Sequence, residues 1–185
     1  WTLKKVEHKN AKWYLSLISF AESSFFPIPP DILLIPMALA SKTKALLYAF
    51  ICTLSSVLGG VFGYAIGYFF FNSVGLYIVE FYHLENSFNI FENYYKEFGI
   101  LIVLGAGITP FPYKFITIAS GVFGLNIYLF VIVSVIGRGL RFYLIAILLY
   151  FFGEKIKLFI DKYFNILSIT FFILLVGSVF IIRFL

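Results

Sequence analysis

The stretch "SSFFPIPPDILLIPMALAS", residues 23–41, is apolar enough for a membrane interior, yet it holds three prolines between Pro27 and Pro30. A carboxylate, Asp31, follows at once. Proline removes a helix hydrogen bond and clashes with the preceding turn, so the run cannot be one unbroken helix. Interrupted backbone at membrane depth is tolerated only inside protein or beside a water-filled cavity. The segment therefore needs a second part of the chain to shelter its break.

Composition places the chain in a membrane. Of 185 residues, 62% are hydrophobic and 12% charged, against about 45–50% and about 25% in soluble domains. Length and the lack of a Gly/Ser-rich linker indicate one membrane domain, 1–185. Cys52 is the only cysteine, and His8 and His83 stand far apart. That excludes a disulfide framework, and neither a metal nor a cofactor is expected. No nucleophile sits with a base, so the chain does not read as an enzyme. The net charge of +5 resides in Lys clusters beside apolar runs, which favours anionic headgroups over nucleic acid.

Residues 45–71 carry no charge and exceed the roughly 20 residues needed to cross a bilayer. Within them Gly59, Gly63 and Gly67 recur every fourth residue, a small-residue stripe for close helix packing, within the chain or in a homo-oligomer. Residues 72–99 mix Glu80, Glu85, Glu92 and Glu97 with aromatics and read as an interfacial amphipathic segment. A second crossing spans 128–152, 153–163 is an amphipathic connector, and 164–183 is a final crossing helix. Lys4, Lys5, Lys9 and Lys12 precede the first apolar segment, and Lys42 and Lys44 follow it. Both of its ends are then cytoplasmic, so it dips into the membrane and returns.

A second stretch matches the first. Laying "PIPPDILLIPMA" (27–38) over "PFPYKFITIASG" (110–121) pairs Pro27 with Pro110, Pro29 with Pro112 and Asp31 with Lys114. The same offset lays the helix at 45–71 over that at 128–154. The expected architecture is an all-α polytopic membrane protein with two inverted repeats, 13–71 and 100–152. Each is a Pro-broken re-entrant hairpin, with breaks at Pro27, Pro29 and Pro30 and at Pro110 and Pro112, followed by a crossing helix. Such paired interruptions point to a transporter's central site.

The runs "FAESSFFPIPPDILLIPMALA" (20–40), "GGVFGYAIGYFF" (59–70), "GITPFPYKFITIASGVFG" (107–124) and "GRGLRF" (137–142) resemble the DedA superfamily, which also holds the SNARE-associated, VTT-domain proteins. The likeness is to its YqaA-type branch and covers about 13–165. It implies a multi-pass protein of the bacterial inner membrane. It also implies lipid transport, as a flippase for undecaprenyl phosphate or a phospholipid, with proton coupling. The family's acidic residues around the first break match Glu22 and Asp31. Its pair of arginines around the second break is not matched: Gly107 stands near the first, and Lys114 falls one place beyond the second.

Charged residues within a membrane cost roughly 2.5–3.5 kcal/mol each on insertion scales and face a cavity or partner. Five occur here. Glu22 precedes the first break at a helix C-terminal end, where negative charge opposes the dipole, and is a candidate proton carrier with Asp31. Asp31 also fits simple helix-start chemistry. Lys114 opposes the dipole in the matching first turn, which makes it a candidate anion ligand. Arg138 and Arg141, three residues apart, share a helix face and suit phosphate recognition or an ion pair with Glu22 or Asp31. Ser23 and Ser24 are placed to satisfy carbonyls freed by the break. The expected function is a transporter of a phosphate-bearing lipid with protons as the coupling ion. The alternative is a proton-coupled transporter of a small solute or ion.

Overall fold

In the computed structural model of the protein, residues 10–26, 28–81, 85–109, 111–153 and 155 are described. Pro27, Pro110, Lys4, Lys5, Lys9 and the final crossing at 164–183 lie outside them. Among the described residues the chain is all-helical, without a strand.

Each proline cluster separates two helices. α1 (Ala11–Ser24) ends before the first cluster, and α2 (Asp31–Ala40) begins directly after Pro30. A short turn, Lys42–Lys44, leads into α3 (Ala45–Phe70). The helix does not stop where the charge pattern changes at 71–72. A widened π-helical turn, Phe71–Gly75, carries it into α4 (Leu76–Phe81). Such a turn leaves carbonyls poorly partnered, and the Ser73 hydroxyl serves those of Phe69 and Phe70 at 2.8 and 3.1 Å.

α5 (Glu85–Ile108) then runs unbroken through residues 99 and 100, where the sequence pattern divides the interfacial segment from the second hairpin. α6 (Tyr113–Val122) follows Pro112. At its end Gly124 takes φ +62°, the left-handed conformation that a glycine adopts without strain. Asn126 accepts from the N–H groups of Tyr128 and Leu129 at 3.0 and 3.3 Å, which caps the start of α7 (Ile127–Gly153).

Among the described residues, the helices ending at Phe70 and Gly153 are the two long and apolar enough to cross a membrane. Both leave rows of large apolar side chains outward: Phe50, Leu54, Leu58 and Phe62 on α3, and Ile136, Leu140, Leu144 and Leu148 on α7. Apolar surface on this scale marks membrane association.

The helix lengths match in pairs. α2 and α6 are ten residues each, and α3 and α7 have 26 and 27. Two apolar clusters result. The first joins Leu15, Leu34, Met37, Ala49, Phe142 and Ala146 from α1, α2, α3 and α7. The second joins Val103, Ala106, Tyr113 and Phe130 from α5, α6 and α7.

Gly59, Gly63 and Gly67 allow α3 to touch two helices at once. A Cβ on Gly59 would stand 2.1 Å from the Phe20 carbonyl oxygen on α1, and one on Gly67 would stand 2.0 Å from that of Ile118 on α6. At Gly63, between them, the conflict is with Thr117 Oγ1 at 2.4 Å and the Ser23 carbonyl oxygen at 3.1 Å. The stripe thus brings the end of α1 and the middle of α6 onto one helix.

Candidate functional site

The charged residues gather between the two apolar clusters. Arg138, in the middle of α7, is only 1% exposed. Its Nη2 donates to Oε2 of Glu22, near the C-terminal end of α1. Its Nε donates to Ser56 Oγ at 2.6 Å. The guanidinium carbon lies 4.9 Å from the ring centre of Tyr113 and 4.8 Å from that of Phe142. A planar, weakly hydrated cation suits such a slot, because ring faces stabilise it where water does not reach.

Hydroxyl groups complete the setting. Ser23 Oγ donates to Glu22 Oε2 at 3.1 Å and shares a 2.6 Å hydrogen bond with Ser56. Tyr113 shares one of 2.5 Å with Ser134. Thr117 Oγ1, on α6, lies 3.0 Å from the Ser23 carbonyl and 2.9 Å from that of Lys114. It ties the end of α1 to α6.

Arg141, one turn further along α7, forms a second pair. Its Nη2 donates to Asp31 Oδ2 at 2.5 Å, and its Nη1 donates to the Thr109 carbonyl at 2.6 Å. Asp31 opens α2 after the first break, and Thr109 lies at the second. A single guanidinium therefore holds both breaks. The other carboxylate oxygen of Asp31, Oδ1, is buried without a hydrogen-bond partner.

Four of the five charges singled out in the sequence are thus brought together as two ion pairs, each joining a carboxylate of the N-terminal half to an arginine of α7. The partner of Asp31 is Arg141 and that of Glu22 is Arg138, the ion pairs that the sequence offered as the alternative to phosphate recognition. Lys114, the repeat equivalent of Asp31, does not pair with it. Lys114 is half-buried, with its ammonium 5.3 Å from the ring centre of Phe115. Among the described residues it makes no ion pair. Of the two serines at the first break, Ser24 serves the carbonyls of Phe20 and Gly59 at 2.7 and 3.0 Å. Ser23 instead joins the charged network, because Ser56 and Glu22 lie within its reach.

Ser56, Tyr113, Thr117, Ser134 and Phe142 belong to the site without having stood out in the sequence. Only Ser56 had a visible signal, as one of two adjacent serines in the uncharged run 45–71. The others look like ordinary helix residues until the breaks fold together. No group of His, Cys, Asp or Glu among the described residues could hold a metal ion.

An uncharacterized protein of Haemophilus influenzae is 35% identical over 182 residues, covering 98% of this chain and 94% of its own. An uncharacterized protein of Histophilus somni is 32% identical over 154 residues, covering 83% of this chain and 80% of its own. No family model matches the chain, and no solved structure does.

Proposed function

The chain belongs to one family with these Haemophilus influenzae and Histophilus somni proteins, and we propose that it moves a phosphate-bearing lipid across a bacterial inner membrane. In this reading the two helix–break–helix units are re-entrant hairpins that enter from opposite faces, as in the DedA superfamily. Their junction is the transport site. The observation that carries the proposal is the pairing of two buried or half-buried arginines with Glu22 and Asp31 across the repeat boundary.

The chemistry is an exchange of partners. A guanidinium desolvated in protein requires an anion. Here Glu22 and Asp31 supply it. When a carboxylate takes up a proton, its arginine is left uncompensated. A lipid phosphate, with paired oxygens matching the guanidinium fork, restores neutrality. Lys114, which makes no ion pair among the described residues, is a first contact for that phosphate near the second break. Loss of the proton on the other side returns the arginine to its carboxylate and releases the lipid. Arg141 grips both breaks at once, so its release loosens both hairpins together.

The test is lipid translocation in proteoliposomes with a fluorescent phosphate-bearing lipid. Lys114→Gln removes a charge without breaking an ion pair, so it is expected to fold normally and to lose most translocation. Full activity of Lys114→Gln and of Arg141→Gln would overturn the proposal.

One observation favours a second reading, a proton-coupled transporter of a small solute or ion. The orphan oxygen of Asp31 is the kind of acceptor that a proton or a small cation satisfies. Proton flux in vesicles without phospholipid movement, abolished by Asp31→Asn, would select it.

A further inference from the structure

A groove of about 310 Å³ lies between α1 and α3, lined by Lys12, Trp13, Ser16, Ile51, Leu54 and Ser55. It is separate from the charged site, because Lys12 precedes Glu22 by ten residues of helix, about 15 Å of rise. Its volume is at the small end of the roughly 300–1,000 Å³ of ligand pockets. It would accept a headgroup and the adjoining part of a chain, not a whole lipid.

The lining has two characters. Ser16 and Ser55 share a hydrogen bond of 2.7 Å, which leaves one of the two hydroxyls with a proton to donate. Ile51, Leu54 and Trp13 make the walls apolar, and Trp13 is 73% exposed. Lys12 is exposed and, among the described residues, makes no ion pair. An apolar slot with an uncompensated ammonium and an exposed indole matches the boundary between acyl chains and headgroups.

We infer that this groove holds one anionic phospholipid, its phosphate on Lys12 and the upper part of a chain against Trp13, Ile51 and Leu54. Charge complementarity selects the occupant: among the described residues the one formal charge on the lining is positive, and apart from two serine hydroxyls the remaining surface is apolar. A zwitterionic lipid would fit the walls equally but would bring a second cation to Lys12. The inference rests on the membrane residence in the proposed function and not on transport.

Trp13 reports the site directly. With Trp1→Phe as the parent, Trp13 is the only tryptophan, and its fluorescence is quenched by acyl chains brominated close by. The protein is reconstituted in phosphatidylcholine vesicles containing either brominated phosphatidylglycerol or brominated phosphatidylcholine. Half-maximal quenching is expected at about fivefold lower mole fraction of the brominated phosphatidylglycerol, the preference that one lysine at an anionic surface provides. Lys12→Gln should erase the preference, and Lys12→Arg should keep it. Removing the neighbouring cluster with Lys4→Gln, Lys5→Gln and Lys9→Gln together should also keep it. Equal quenching by the two lipids in the parent, or a preference that survives Lys12→Gln, overturns the inference while membrane residence stands. No quenching by either lipid overturns both.

Discussion

Arg138 carries a full charge into the interior with one carboxylate, one hydroxyl and two aromatic faces for company. Removing one member of a buried pair strands the other, at a cost of about 3–5 kcal/mol, whereas replacing both with apolar groups is often near neutral. Arg138→Met and Glu22→Met are each expected to lower thermal stability strongly in detergent. The double variant should recover most of the loss and still translocate no lipid. A double variant as unstable as the singles would show that the pair contributes through more than its charge balance. Arg138→Lys keeps the charge but loses the planar stack and the fork, so its translocation is expected to fall with that of Arg138→Met. At this scale the sequence was informative about which residues matter. Charges in an apolar context are costly enough to stand out. The sequence offered Arg138 and Arg141 as partners for Glu22 or Asp31 without saying which takes which: Arg138 takes Glu22 and Arg141 takes Asp31.

Helices meet here through glycine, and the contact is backbone to backbone. The Cβ of Gly59→Ala would stand 2.1 Å from the Phe20 carbonyl oxygen, and that of Gly67→Ala 2.0 Å from the Ile118 carbonyl oxygen. Neither oxygen can move without shifting its helix. Both variants should therefore lose stability, with Gly67→Ala separating α3 from α6 and Gly59→Ala separating it from α1. Gly105 in α5 has nothing within 4 Å of its Cβ position. Gly105→Ala should be neutral or stabilising by up to ~1 kcal/mol, the helix-propensity difference. Melting temperatures of the three variants in one detergent check the contrast. The fourfold spacing was visible in the sequence, but its use was not. A stripe of glycines indicates that something approaches closely without naming the neighbour, and here two different helices share it. The widened turn at 71–75 left no comparable trace, because it depends on how the helix axis shifts between packed neighbours.

For the molecule as a whole, the membrane reading places Thr43 and Phe152 on the cytoplasmic side and Tyr77 and Asn126 on the other. Single cysteines at these positions, in a Cys52→Ala background, are expected to react with a membrane-impermeant maleimide from opposite faces. All four sites are exposed in the fold, so the packing of the helices does not shield them from the reagent. Labelling of Thr43→Cys and Tyr77→Cys from the same face would remove the crossing between them, and with it the opposed entry of the two hairpins. The expectation of a repeat came from one offset in the proline pattern. Helix lengths of ten and 26 residues in one half, and ten and 27 in the other, follow that offset.

Local chemistry accounts for what could be read in one dimension. Proline ends a helix wherever it stands, a long uncharged run makes a helix long and apolar enough to cross a membrane, and matching interruptions show themselves by their spacing. Those effects act within a few residues of chain, so they are visible without the fold. The pairing of Glu22 with Arg138 and of Asp31 with Arg141 spans 116 and 110 residues. It is set by how α3 presses α1 and α6 together and by which face of α7 then closes on the breaks. A guanidinium finds its carboxylate by proximity in space, and only the packed helices determine that proximity.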